Sequence, residues 1–128
     1  MRVYKTKPFA RFQRRERIDD ETLCTTLADV EAGLLEADLG GGLIKQRVAR
    51  TGSGKRGGYR TVIAYRKATR AFFLLGFAKS ARANIGAAEL AALKRQAAAL
   101  LAAADQALDA MVASNDLTEV DCGESTQD

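Results

Sequence analysis

Apolar and polar residues alternate through the middle of the chain in the way that is typical of β-strands. In Leu43–Arg50 and in residues 59–66, neighbouring side chains point to opposite sides, and each strand carries basic residues on one side. Residues 71–77 contain almost no polar side chain, which predicts a central strand buried on both faces. A shorter strand is predicted over residues 2–5.

Helical spacing replaces this alternation on either side of the predicted strands. Pro8 suits the first turn of a helix, which we expect to end near Arg17. Asp19 is placed as the N-cap of a second helix, because the acidic residues after it favour the positive end of a helix dipole. The two segments predict a helical hairpin over residues 7–33 that covers one face of the sheet.

The C-terminal third is rich in alanine and predicts a long helix. Gly86 is expected to cap its N-terminus, and the apolar stripe runs to about Ala113. Leu117–Val120 is a candidate short edge strand. The fold class is therefore α+β, with a small, twisted, mainly antiparallel sheet, an N-terminal helical hairpin and a long C-terminal helix.

Two glycine-rich stretches are predicted as loops. Residues 37–42 (ADLGGG) allow either a close approach to a ligand or a flexible turn, and the turn is favoured. This stretch is not a phosphate loop, because no Lys–Ser/Thr pair follows the glycines. Residues 51–58 (TGSGKRGG) are predicted as a hairpin loop with basic residues at its tip.

The length of 128 residues fits one domain with an ordinary hydrophobic core. We expect that domain over residues 1–113, followed by an acidic, partly disordered tail over residues 114–128. Cys24 and Cys122 are isolated in sequence, and we predict that both are reduced and bind no metal. The charged N-terminus and the absence of a membrane-length apolar run lead us to expect a cytoplasmic protein.

Charge is distributed along the chain in blocks. Residues 43–82 hold eleven Lys and Arg and no acidic residue, whereas residues 18–42 hold seven acidic residues and no basic one. Residues 1–17 add a net charge of +6, and residues 83–128 add −6. Because the basic block also carries the strand pattern, we interpret it as a folded basic surface for a polyanion rather than a solvated charge run.

The residue inventory restricts the chemistry that such a surface can perform. The chain has no histidine, which excludes histidine-dependent triads and histidine metal sites. Lys, Arg and Tyr can still promote RNA cleavage, because the 2′-hydroxyl already lies beside the scissile phosphate and needs only alignment and charge stabilisation. No metal or other cofactor is expected.

The arrangement resembles the RelE/ParE superfamily of toxins from type II toxin–antitoxin pairs, and is most similar to its RelE-like, HigB-related branch. The resemblance covers roughly residues 1–95. It rests on a glycine-rich basic hairpin, an apolar strand and the run after that strand. The matching residues are Gly52, Gly54, Lys55, Gly57, Gly58, Arg60, Phe77, Ala78, Lys79, Arg82, Asn84 and Ile85.

The resemblance implies catalytic roles for five residues. Arg60 would hold the scissile phosphate, Lys55 would bind the RNA backbone beside it, and Lys79 and Arg82 would stabilise charge or donate a proton. The family's catalytic residue after the last strand has no match here, so Tyr65, or Tyr59, is the candidate for proton transfer. The alternatives are an ion pair for Arg60, a strand-end position for Lys79 and packing for the tyrosines.

A further set of basic residues is expected to bind RNA, either along the strands or on the first helix. The helical arginines are otherwise a solvated face. This set consists of Lys45, Arg47, Arg50, Arg56, Arg11, Arg14 and Arg15.

The family resemblance implies a toxin that cleaves mRNA on the ribosome without a metal and so inhibits translation. Its expected partners are the ribosome, mRNA and a cognate antitoxin, which is expected to bind DNA and to be encoded next door; no membrane is expected. An acidic antitoxin segment would cover the surface of residues 43–82. The alternatives are a ParE-like inhibitor of DNA gyrase and a non-catalytic RNA-binding module.

Overall fold

A six-stranded mixed sheet forms the centre of the protein. The computed structural model describes residues 1–50, 54–79 and 84–123, with the backbone alone for residues 50 and 54–57. The sheet has the strand order β2-β3-β4-β5-β1-β6, in which β1 runs parallel to β5 and the other neighbours are antiparallel. The α+β class is confirmed. The strands are β1 (Arg2–Thr6), β2 (Ala37–Gly40), β3 (Leu43–Arg50), β4 (Gly54–Arg66), β5 (Arg70–Ala78) and β6 (Leu117–Val120).

Helices cover both faces of this sheet. On one face, α1 packs on β5 and α2 packs on β3, and their apolar side chains form one core with Ile63 and Phe73. On the opposite face, α3 and α4 bury a second core around Phe72 and Val62. The helices are α1 (Lys7–Glu16), α2 (Asp20–Glu31), α3 (Ala87–Ala102) and α4 (Asp105–Ala113).

The central strand β5 confirms the interpretation of residues 71–77. It lies between β4 and β1, and Phe72 and Phe73 are fully buried on opposite faces. The end of the sheet where β3 and β4 connect, around residues 50–54, is called the hairpin end below. The end where β4 and β5 connect, at residues 67–69, is called the turn end.

Helix capping follows the sequence prediction in the N-terminal half. The Asp19 carboxylate accepts a hydrogen bond from the Thr22 amide at 2.8 Å, which confirms Asp19 as the N-cap of α2. Helix α1 ends at Glu16 and is followed by the C-cap residue Arg17, whose φ of 59° lies in the left-handed region.

The predicted single C-terminal helix is wrong, because α3 and α4 are separate helices. Ala103 and Ala104 between them are extended. The side chain of Arg70, from β5, donates hydrogen bonds to the carbonyl oxygens of Leu100 and Ala103 at 3.1 and 2.7 Å. These carbonyls at the C-terminal end of α3 are satisfied by a guanidinium group rather than by a continuing helix.

The predicted loop over residues 37–42 is also wrong in part. Ala37–Gly40 forms β2, which pairs with β3, and only the glycines at its end make the turn. Gly40, Gly41 and Gly42 all have positive φ angles. At Gly42 the φ of 82° favours glycine, and a Cβ atom there would also displace Cδ1 of Leu101, which would lie 2.5 Å away.

The hairpin loop is shorter than residues 51–58, because β4 already begins at Gly54. Leu117–Val120 is confirmed as an edge strand, so the sheet extends past the predicted domain boundary at residue 113. Within residues 1–50, 54–79 and 84–123, no helix is long and apolar enough to cross a membrane.

The prediction of two reduced cysteines is wrong. Cys24 in α2 and Cys122 after β6 form a disulfide, with Cα atoms 5.4 Å apart and a sequence separation of 98 residues. The fold brings α2 and the end of the sequence together beside Met1 and Val3 of the N-terminus. Neither local sequence contains a signal for a contact over this separation.

Candidate nucleic-acid interface

Two arginines face each other across β3 and β4 near the hairpin end. Arg47 and Arg60 are register partners, and Phe77 lies opposite Arg60 on β5. Side chains alternate along β4, so Arg60 shares its face with Val62, which is buried in the core with α3. The strand pattern therefore places both guanidinium groups on one face of the sheet.

Arg60 is unusual among these basic residues because it is buried. Its side chain is 6% exposed, and its Nε donates to Oε2 of Glu36 at 3.0 Å. Its Nη1 is also buried and has no hydrogen-bond partner in the described part of the protein. An unpaired buried donor on a charged group is costly, typically about 1–3 kcal/mol or more, so this nitrogen is suited to receive an acceptor from a ligand.

Glu36 binds both arginines and was not anticipated from the sequence. Its Oε2 lies 3.8 Å from Nε of Arg47, whose side chain is 46% exposed. The basic block contains no acidic residue, and the counter-ion comes from the segment just before β2. Recognising β2 would have provided a signal, because its antiparallel pairing of Ala37 with Lys45 places Glu36 opposite Gln46, the residue next to Arg47.

Two further predicted residues lie on or next to these strands. Lys45 is half-buried on β3, two positions before Arg47 and on the same face. Lys79 is exposed and directly follows Ala78, which pairs with Tyr59 at the hairpin end. The structure thus brings Lys45, Arg47, Arg60 and Lys79 towards one region of the sheet.

The arginines of α1 lie on the other side of the sheet. Arg11, Arg14 and Arg15 are exposed on the outer side of this helix. Arg15 forms an ion pair of 3.5 Å with Glu16, and its guanidinium carbon lies 5.7 Å from the centre of the Phe12 ring. Helix α1 reaches the hairpin end, where the Tyr59 hydroxyl donates to Glu16 at 2.9 Å.

Tyr65 is not brought together with Arg60. It lies on the opposite face of β4, towards the turn end, and its hydroxyl donates a hydrogen bond to Glu31 of α2. Burial and this hydrogen bond raise the pKa of Tyr65 far above its usual range, which opposes formation of a phenolate.

The remaining predicted residues lie outside the described part of the chain. For Arg82 both the backbone and the side chain lie outside it, whereas for Arg50, Lys55 and Arg56 only the side chains do so. Among the residues that are described, no three cysteine or acidic side chains are grouped so that they could hold a metal ion.

This geometry combines exposed basic side chains with a buried guanidinium group that has an unused donor, on strands next to a basic hairpin. The model of the RelE toxin of the RelE/RelB toxin-antitoxin system matches residues 1–120. A search of curated proteins found no match. The match takes in every strand and helix of the described residues, and the chain belongs to the RelE family of toxins.

Proposed function

We propose that this RelE-family toxin cleaves mRNA on the ribosome and so inhibits translation. The reaction is attack of the 2′-hydroxyl on the adjacent phosphorus: O2′ loses its proton to solvent and forms the O2′–P bond, while the P–O5′ bond breaks and O5′ takes up a proton. The products are a 2′,3′-cyclic phosphate and a 5′-hydroxyl end. Within the family, the motif around Arg60 and Lys79 favours the HigB-related branch.

The observation that carries this proposal is the unpaired Nη1 of Arg60. A guanidinium group that is held at Nε and has an unpaired donor at Nη1 can donate to a phosphate oxygen once RNA is seated on this face, and this bond strengthens as the phosphorane gains charge. Fully paired structural arginines lack this capacity. Arg60 is therefore the residue that we place on the scissile phosphate.

The other basic residues bind phosphates on either side. Arg47 is exposed beside Arg60, and Lys45 precedes it on the same face. Lys79 lies at the same end of the sheet, and the family resemblance assigns RNA contacts to Arg82, Lys55 and Arg56 as well. If about five phosphates are contacted, the log–log slope of binding against salt should be about −3.5 for single-stranded RNA.

A partner antitoxin is part of the RelE/RelB system, and we propose that it covers the hairpin end. An acidic segment would neutralise Arg47 and Lys79 and would keep RNA from Arg60. Salt should weaken that complex as it weakens RNA binding.

The decisive experiment is a translation reaction with the purified toxin, in which the 5′ ends of mRNA fragments are mapped. We expect cleavage within the codon at the decoding site with wild-type protein and its loss with Arg60→Ala. Arg66→Ala is the matched control, because Arg66 is an exposed arginine of the same strand at the turn end. Absence of cleavage by the wild type, or equal cleavage by Arg60→Ala, would contradict the proposal.

A further inference from the structure

Glu36 lies between α2 and β2, with its carboxylate against the two arginines of the candidate site. Its Oε2 accepts from Nε of Arg60 at 3.0 Å and lies 3.8 Å from Nε of Arg47. The Glu36 side chain is 21% exposed, so it is largely but not fully enclosed by protein.

The backbone of Glu36 is fixed by the buried side chain of Gln46. The Gln46 side-chain oxygen accepts from the Glu36 amide at 2.9 Å, and its Nε2 donates to the carbonyl oxygen of Leu34 at 2.8 Å. The Gln46 carbonyl in turn accepts from the Thr61 hydroxyl at 3.1 Å. The connection between α2 and β2 is thus tied to β3 and β4, next to Arg60 itself.

This anchoring determines which part of the Arg60 guanidinium group is available. Glu36 occupies Nε, and Nη1 has no acceptor within the described residues. Because a guanidinium group is planar and rigid, holding it at Nε fixes the direction of its other N–H groups. The carboxylate also lies between two like charges that the strand register places opposite each other, which would otherwise repel.

We infer that Glu36 is a positioning residue for the RNA cleavage proposed above: it holds the Arg60 guanidinium group by Nε so that Nη1 points at the scissile phosphate. The inference rests on that proposed function. Glu36 exchanges no proton with the substrate in this role. Its contribution is to keep Arg60 in one orientation before the substrate binds.

The test compares Glu36→Gln and Glu36→Ala in single-turnover cleavage of ribosome-bound mRNA at varied toxin concentration. Glu36→Gln retains an acceptor oxygen and should keep the maximal rate within about fivefold, since a neutral hydrogen bond is roughly half as strong as a charge-assisted one. Glu36→Ala should lower the maximal rate by about 10²-fold, as expected for a misplaced catalytic group. The toxin concentration for half-maximal cleavage should stay constant or fall, because a negative charge is removed.

Glu119→Ala is the matched control, since Glu119 accepts from Nε of Arg2 at 3.1 Å at the far edge of the sheet. It should leave cleavage unchanged. Faster cleavage by both Glu36 variants would overturn the inference, because it would show that the Glu36 carboxylate competes with phosphate for Arg60. Equal loss in both would also overturn it, because proton transfer by the carboxylate would then be required.

A second readout does not depend on cleavage. The Nε–H proton of Arg60, observed by NMR, should exchange slowly in the wild type and in Glu36→Gln, and rapidly in Glu36→Ala. Unchanged exchange in Glu36→Ala would show that Glu36 does not hold Arg60. If the wild type cleaves no RNA while the exchange rates follow this order, the proposed function fails, and Glu36 is a holder of Arg60 without a role in cleavage.

Discussion

Arg60 and Arg70 are two largely buried arginines on the same face of the sheet, and they differ in how their donors are satisfied. Their side chains are 6% and 12% exposed. Arg70, at the turn end, donates to the carbonyl oxygens of Leu100 and Ala103 and to Asp105. Arg60, towards the hairpin end, is bound at Nε by Glu36 and has a buried Nη1 with no partner among the described residues.

The two ends of the sheet also differ in how many carboxylates bind their arginines. At the turn end, Arg2 also donates to Asp109 at 2.9 Å and to Glu119 at 3.1 Å. Near the hairpin end, one carboxylate, that of Glu36, is shared by Arg47 and Arg60. Arg2 and Arg70 at the turn end are thus bound by several acceptors of the fold, whereas Arg47 and Arg60 share one carboxylate, as expected for the polyanion site that we propose.

The largest expected effect is the loss of RNA cleavage in the Arg60→Ala variant. Arg60→Ala should lower cleavage by about 10²–10³-fold, or some 3–4 kcal/mol in the activation barrier, because a donor to the developing charge is lost. Ribosome association should persist, since the other basic residues remain. Cleavage mapping and ribosome co-sedimentation measure the two effects.

Arg60→Lys is the control for charge alone. Lysine keeps the positive charge but lacks the planar fork, so it should restore little activity. Full activity in Arg60→Lys would mean that orientation of the guanidinium group is unimportant. A normal unfolding transition in both variants is required for this interpretation.

The disulfide should provide the next largest effect, and it should act on stability. Reduction of Cys24–Cys122 should lower the free energy of unfolding by about 3 kcal/mol, because the bridge closes a long loop in the unfolded chain. Urea unfolding with and without a dithiol measures this. The double variant Cys24→Ser, Cys122→Ser should be less stable than the oxidised wild type both with and without dithiol. If dithiol lowered the stability of this variant as much as that of the wild type, the disulfide would not be the cause.

Arg70→Ala should have a smaller effect of the same kind. It removes the donors that satisfy the end of α3, and we expect a loss of about 2 kcal/mol in the free energy of unfolding. The folded fraction should cleave RNA at the wild-type rate. A loss of cleavage without a loss of stability would show that the turn end also serves catalysis.

The sequence predicted the strands better than their connections, for physical reasons. Alternation and burial specify β3 and β5 locally, so Leu43–Arg50 and the central strand were predicted closely. The break between α3 and α4 depends on Arg70, a residue about thirty positions away, and the alanine-rich sequence gives no sign of it. The disulfide depends in the same way on a contact over 98 residues.

The candidate site was predicted in part for related reasons. The position of Arg60 on a strand, on the same face as Arg47, follows from alternation along β3 and β4. Glu36 and Gln46 were missed because their roles depend on β2, whose glycines conceal a strand. The placement of Tyr65 on the opposite face was predictable from the same alternation, since it lies five positions after Arg60.

The smallest effect is expected from Tyr65→Phe, which tests whether this tyrosine belongs to the turn end or to the reaction. The hydroxyl donates to Glu31, and its loss should cost about 1 kcal/mol of stability at pH 7. The pKa of Tyr65 is raised in the folded protein, so the unfolded chain ionises first, near pH 10. The stability difference between wild type and variant should therefore be full below pH 10 and shrink as the pH rises above it, which urea unfolding at several pH values can measure.

Cleavage by Tyr65→Phe should equal that of the wild type, because the hydroxyl lies on the opposite face of β4 from Arg60. A variant that folds normally but no longer cleaves would assign Tyr65 to the reaction after all.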